Sequence, residues 1–151
     1  MNITPATQKD LKAVWGLIRK EFPYVKLSQE EFLAKHGTEF IEGFAAKEKG
    51  KLVGYVEVEF LQACRKYACT RCARINAVVV KEKHRSKGIG SMLLQHALDY
   101  LASLHMEKAV LLVERENART KKWYAKHGFE KHGAHGKKLG GKSVEELVVE
   151  F

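Results

Sequence analysis

The chain has no apolar run approaching the roughly 20 residues that a membrane-spanning helix needs. Its first residues also lack the basic-then-apolar order of a secretory signal. Both absences point to the cytoplasm and away from a membrane partner. Nothing in the 151 residues resembles a linker, an internal repeat or a low-complexity tract, so residues 1–151 are expected to form one domain. A 45% hydrophobic content is enough for a normal core. Cysteine is scarce: Cys64, Cys69 and Cys72 are the three present, an odd number packed into one short region. That argues against a disulfide framework and for reduced thiols. Acidic residues are the minority, 18 against 27 Lys and Arg, which leaves a formal charge of +9. Such a charge invites an anionic partner: a nucleotide, a nucleic acid or an acidic substrate. Nucleic acid is the weakest of these, because the aromatics are scattered and no zinc finger or basic-region helix is visible.

What is present reads as alternating helices and strands. In "TQKDLKAVWGLIRKEF" a capping pattern, Thr7 with Asp10, precedes Leu11, Val14, Trp15 and Ile18 at i, i+3, i+4 and i+7, the spacing of an amphipathic helix. "SQEEFLAKHG" repeats the device with Ser28 and Glu31 and stops at Gly37. Two strands, about 42–47 and 52–60, follow as a hairpin around Gly50. "CARINAVVV" is a third strand, and the helix after it carries Leu94, Ala97, Leu98, Leu101 and Leu104 on one stripe. "KAVLLVE" is a buried strand, so this stretch should form a right-handed βαβ crossover with near-parallel strands. "ENARTKKWYAKHGF" supplies a last short helix, "HGAHGKKLGGK" a glycine-rich and mobile loop, and "SVEELVVEF" a final strand.

The stretch "VVVKEKHRSKGIGSM" sets two glycines and several cations at the mouth of a helix. A helix N-terminus offers unpaired N–H groups and the positive end of the macrodipole, and together these hold a phosphate. Gly88 and Gly90 remove side chains that would keep an anion away, while Arg85 and Lys87 add charge. The spacing matches neither common nucleotide fingerprint: Leu93 stands where a dinucleotide motif wants a small residue, and no Gly-Lys-Ser/Thr ending is present.

Arg-x-x-Gly-x-Gly, read as "RSKGIG" after "VVVKEKH", resembles the acetyl-CoA signature of the GCN5-related N-acetyltransferase (GNAT) family. Downstream, "NARTKKWYAKHGF" resembles that family's Asn-then-Tyr helix ending in Gly-Phe. The resemblance implies an α/β (α+β) fold with a mixed central sheet of about six to seven strands, helices on both faces and a splayed strand pair. It implies an acyltransferase that moves the acetyl group of acetyl-CoA to a primary amine by direct attack. Val78, Val79 and Val80 would pair by backbone with the pantetheine arm, and one of their N–H groups would polarise the thioester carbonyl. Arg85, Ser86, Lys87, Gly88, Ile89, Gly90 and Ser91 would wrap the pyrophosphate, mainly through main-chain N–H groups. Asn117 would bond to the pantetheine, and Tyr124 would donate a proton to the departing thiolate. Arg119, Lys121 and Lys122 could meet the ribose phosphate or simply form a solvated helix face. A CoA-ester binder without turnover and a basic nucleic-acid module are the alternatives, and pairing of two copies through the last strand suits such a sheet.

The signature strand "ARINAVVV" contains no carboxylate to serve as general base, and Leu112 stands where amino-terminal ribosomal-protein acetyltransferases of the family carry glutamate. Glu57, Glu59, Glu114 and His84 are the candidates that remain. The missing base bears on the acceptor. Freeing an amine of pKa roughly 10.4 at neutral pH costs about 4 to 5 kcal/mol, whereas an α-amino group near 8 costs about 1. A weak base therefore suits a lowered-pKa amine, on a small molecule or a peptide. Arg65, Lys66, Arg71 and Arg74 either line the acceptor channel, which would favour an acidic acceptor, or are an exposed connection. Cys69-x-x-Cys72 lacks the second half of a zinc site, although His127, His132 and His135 could fold over it, and no metal is expected.

Overall fold

The computed structural model describes the backbone of all 151 residues and the side chains of all but Ala134, His135 and Lys137. The elements in chain order are β1 (Asn2–Pro5), α1 (Gln8–Glu21), α2 (Gln29–Lys35), β2 (Ile41–Glu48), β3 (Lys51–Phe60), β4 (Cys72–Val80), α3 (Ile89–Ser103), β5 (Lys108–Glu114), α4 (Ala118–Ala125), β6 (Glu130–Leu139) and β7 (Lys142–Glu150). The strands make one seven-stranded sheet in the order β1-β2-β3-β4-β5-β7-β6. Its pairs are antiparallel except β4 with β5, the parallel pair that the βαβ reading required.

Both expected N-caps form. Thr7 Oγ1 accepts from the Asp10 amide at 3.2 Å while Asp10 Oδ2 accepts from the Thr7 amide at 2.9 Å. Ser28 and Glu31 repeat the exchange at the head of α2. Reciprocal caps of this kind satisfy amides that a helix start leaves without partners. The apolar stripe of α1, Leu11, Val14 and Ile18, meets Ala45, Leu52, Tyr55 and Val79 on one face of the sheet, together with Phe32 of α2. On the other face α3 lays down Leu93, Leu94, Ala97, Leu98 and Leu101, and Trp123 and Tyr124 of α4 join the same core. Leu93, Leu94 and Leu101 are wholly shielded from solvent, and each such side chain contributes about 1.5–3 kcal/mol of burial. Gly54 of β3 lets α3 sit this close, since a Cβ there would lie 2.8 Å from Leu93 Cδ1 and 3.0 Å from the Val79 carbonyl oxygen.

Two expectations are corrected. Residues 132–142 are not a loop: β6 pairs antiparallel with β7 through a turn at Gly140 and Gly141, both at positive φ. β7 needs a partner on the side away from β5, and backbone pairing outweighs the turn-like composition. The cysteines are not all reduced either: Cys64 and Cys72 form a disulfide and Cys69 alone keeps a free thiol. A short turn at Arg65–Tyr67 folds the chain back so that the two Cα atoms stand 5.8 Å apart. Among the described residues, no helix is long and apolar enough to cross a membrane.

Candidate active site

The sheet opens between its parallel strands. β4 and β5 pair only at Cys72 with Lys108, Ala73 with Ala109 and Arg74 with Val110; beyond these the strands diverge. From Ile75 to Val80, β4 keeps β3 on one side and has no strand on the other, while β5 turns away with β7. A bulge at Asn76, where Glu57 pairs with Ala77 and Val58 with Ile75, adds to the bend. Successive residues past the bulge face opposite sides: Val78 and Val80 belong to the α3 face, Ala77 and Val79 to the α1 face. The gap is therefore reached from two clefts, one on each face of the sheet.

The cleft on the α3 face has a volume of about 490 Å³ and is lined by Val78, Val80, His84, Arg85, Ser86, Gly88, Ile89, Gly90 and Ser91, with Arg119, Thr120, Trp123 and Tyr124 opposite. Its turn holds two residues in the left-handed region, Ser86 at φ 64° and Gly88 at φ 80°. Gly88 caps α3, whose first internal bond runs from the Met92 amide to the Gly88 carbonyl. The amides of Ile89, Gly90 and Ser91 thus have no partner within the helix and face the cleft mouth. These residues fit a diphosphate: main-chain donors are on offer, no Cβ stands at positions 88 and 90, and Arg119 adds charge on the opposite wall. The Arg85 guanidinium is engaged elsewhere, its Nε donating to the Val80 carbonyl at 3.0 Å and its Nη2 to Glu21 Oε1 at 2.6 Å.

Tyr124 reaches the same cleft from α4. Its ring is held edge-on by Trp123 at 4.8 Å and Phe129 at 5.6 Å, and burial pushes its phenol up to about 12. Gly128, at φ 91°, stops the helix and turns Phe129 back under that ring. Asn117 plays a local part: it is the N-cap of α4, with Oδ1 accepting from the Thr120 amide at 3.0 Å, and it is not among the residues lining the cleft. Lys121 is drawn off to Glu145 at 3.4 Å.

The cleft on the α1 face, about 340 Å³, lies against Ile75, Asn76 and Ala77 of β4 and Leu112 of β5. Ile18, Phe22, Val25, Leu27 and Phe32 give it apolar walls, and Lys35, Glu57, Glu59 and Arg74 supply charge. Glu57 is almost wholly buried. It accepts from Lys35 Nζ at 3.1 Å, Asn76 Nδ2 at 2.7 Å and the Tyr55 hydroxyl at 3.2 Å, and lies 3.1 Å from His36 Nε2. Burial alone would raise its pKa, but His36, Lys35 and Asn76 outweigh that and hold the carboxyl at about 2. Asn76 Nδ2 also bonds Glu59 Oε1 at 3.0 Å, so one bulge residue ties two carboxylates together.

A sequence model of the acetyltransferase (GNAT) family matches residues 11–129. The chain belongs to the GNAT family. Solved GNAT structures superpose on nearly all of it. A spermidine N-acetyltransferase SpeG mutant from Vibrio cholerae aligns at 20% identity over 99% of this chain and 95% of its own, with a TM-score of 0.80. The ribosomal-protein-S18-alanine N-acetyltransferase of Escherichia coli aligns at 18% over 99% and 92%, with a TM-score of 0.79. The PaiA N-acetyltransferase of Thermoplasma acidophilum, solved with coenzyme A, aligns at 18% over the full length of both chains, with a TM-score of 0.73. No curated protein sequence matches this chain significantly.

Within this GNAT fold the two motifs singled out in the sequence, the 85–91 turn and Tyr124, come together in one cleft. Of the candidate bases His84 alone joins them, on the wall of that cleft beside the turn. Glu57 and Glu59 face the other cleft, and Glu114 lines neither, its carboxylate 3.6 Å from Lys142 Nζ. His84 lies at the turn, 3.4 Å from Glu48. Of the four cations considered for an acceptor channel, Arg74 alone lines the cleft on the α1 face. Lys66 is paired with the buried Glu146, Arg71 donates to the Leu104 and His105 carbonyls at the end of α3, and Arg65 borders a separate groove beside Phe40. Neither described histidine joins the cysteines: His127 packs on Trp123 near Ser91, and His132 lies against the Tyr67 ring. The side chain of His135 lies outside the described residues. The sequence pattern does not single out Lys35, His36, Tyr55 and Asn76, which surround Glu57. Their one sequence signal was a lone asparagine within an otherwise apolar strand end.

Proposed function

We propose that the protein transfers the acetyl group of acetyl-CoA to a primary amine by direct attack, with residues 1–151 acting as one catalytic domain. The observation that carries this is the free edge of β4 from Ile75 to Val80, set between clefts on opposite faces of the sheet. An extended, amide-bearing arm satisfies such an edge as an added strand would. The pantetheine would pair along Val78–Val80, and its diphosphate would rest on the amides of Ile89, Gly90 and Ser91. The amine would approach from the α1 face, past Glu59 and Asn76.

In this reading the amine nitrogen forms its bond to the thioester carbonyl carbon, the carbon–sulfur bond breaks, and the nitrogen sheds a proton. A main-chain N–H of the 78–80 segment meets the negative charge that builds on the carbonyl oxygen. Tyr124, at about 12, keeps its proton at neutral pH. Full transfer to a thiolate of pKa roughly 8.5 would cost about 5 kcal/mol, so the phenol acts as a hydrogen-bond donor to the departing sulfur. The proton that finally neutralises the sulfur comes from the acceptor's ammonium.

Glu57, held at about 2, is a poor proton acceptor, and its part is to fix Lys35, His36 and Asn76 in place. Without a strong base lining the acceptor's own cleft, an acceptor amine of lowered pKa is the favoured substrate. Glu59 would draw its ammonium into the cleft, and Arg74 would suit an anionic or carbonyl group beside it. The test is a panel of amines at fixed acetyl-CoA, reading released thiol. Peptide N-termini and low-pKa small amines should outpace simple lysine side chains at neutral pH, and the reverse order would overturn the acceptor assignment. Calorimetry that found no heat with any coenzyme A ester would remove the enzyme reading altogether. Tight acetyl-CoA binding with no thiol release for any amine would leave a CoA-ester binder instead.

A further inference from the structure

The acetyl-transfer chemistry makes no use of the three cysteines. They lie on the loop between β3 and β4 and at the start of β4, at the far end of that strand from the diphosphate turn. Their Sγ atoms lie within 4.8 Å of one another. Cys64 and Cys72 are buried and Cys69 is partly open, with Leu61, Tyr67, Val110 and Val148 packed around them. A disulfide needs two sulfurs, yet a third stands at the same point. Among the described residues, this is the one cluster of histidine, cysteine and carboxylate groups arranged to hold an ion.

We propose that reduction of the Cys64–Cys72 bond turns this loop into a binding site for one thiophilic divalent ion of the Zn2+ class, held by the thiolates of Cys64, Cys69 and Cys72. The opening step consumes a dithiol reductant: two electrons and two protons pass to the disulfide sulfurs, and the reductant leaves as its own disulfide. Three thiols then exchange their protons for one ion, releasing three protons and forming three metal–sulfur bonds. Around an ion with metal–sulfur bonds of about 2.3 Å, tetrahedrally placed sulfurs stand about 3.8 Å apart. On reduction the Cys64 and Cys72 sulfurs, bonded in the disulfide, part to that distance, while the Cys69 sulfur, within 4.8 Å of both, needs only a small side-chain rotation to reach it. The donor set is all sulfur, which selects soft ions and rejects Mg2+ and Ca2+. The fourth position is left to water. The bound unit carries a net negative charge; near Cys69, Lys108, whose Nζ donates to the Tyr67 carbonyl at 2.6 Å, offsets that charge while Glu107 and Glu150 add to it. Oxidised, the same sulfurs form the observed disulfide and the site is closed.

The experiment uses untagged full-length protein reduced with a phosphine, with Cd2+ as the probe, Mg2+ as control and acetyl-CoA calorimetry as a check on folding. The reduced protein should take up one equivalent of Cd2+ with a thiolate-to-metal charge-transfer band and release about three protons, while the oxidised protein and Mg2+ give no signal. Cys69→Ser, a change at the least buried of the three, should keep its acetyl-CoA affinity. It should also lose at least about tenfold in Cd2+ affinity and release one proton fewer. Absence of Cd2+ binding by the reduced protein, or equal affinity for Cys69→Ser and the unaltered chain, would overturn the proposal.

Discussion

Glu57 and Tyr124 are displaced from ordinary acidity in opposite senses, and each displacement can be measured. The Glu57 carboxyl is held near 2 against a usual 4.5, so it stabilises the fold fully above about pH 4.5 and loses that contribution as pH falls toward 2. The shift corresponds to about 3 kcal/mol. Urea unfolding from pH 6 down to pH 2.5 should therefore show a steeper loss for the unaltered protein than for Glu57→Gln, and parallel curves would contradict the burial argument. For Tyr124→Phe, removal of the hydrogen bond proposed to reach the leaving sulfur should lower kcat by about 100-fold. KM for acetyl-CoA should stay within about twofold, because the ring that lines the cleft remains. That Tyr124 would share a cleft with the 85–91 turn could be read from the sequence, because two motifs place them. The Glu57 cluster could not: Lys35 and Asn76 are 22 and 19 residues away along the chain, and only the register of β3 on β4 and the seating of α2 bring them together.

At the scale of elements, the helix caps carried through from pattern to structure because each depends on residues three apart, and the βαβ crossover carried through because a strand, a helix and a strand with short connections leave the chain one compact way to pack. Two features did not. The 132–142 segment has the composition of a turn and the position of a strand, and the open side of β7 decides the matter. Cys64 and Cys72 meet because an intervening turn reverses the chain, which counting cysteines does not reveal. The contact of α3 with the sheet yields a clean test. Gly54→Ala forces a methyl against Leu93 and the Val79 carbonyl, so it should cost about 1–3 kcal/mol, seen as a lower urea midpoint at unchanged slope. A midpoint that did not move would mean that α3 can ride outward without loss.

For the molecule as a whole, the charge of +9 acts at a distance, where single contacts do not. It should draw the polyanionic acetyl-CoA toward the cleft, so the association rate should fall by about 3- to 10-fold as ionic strength rises from 0.02 to 0.5 M, with dissociation changing less. Stopped-flow binding at several salt concentrations would measure this, and a salt-independent association rate would leave the surface charge without that role. The splayed sheet has a further effect on turnover. Since donor and amine are proposed to arrive from opposite sides, spent coenzyme competes with fresh donor at its own doorway and leaves the other unobstructed. Neither partner must then depart before its counterpart comes in, and loading can follow either order.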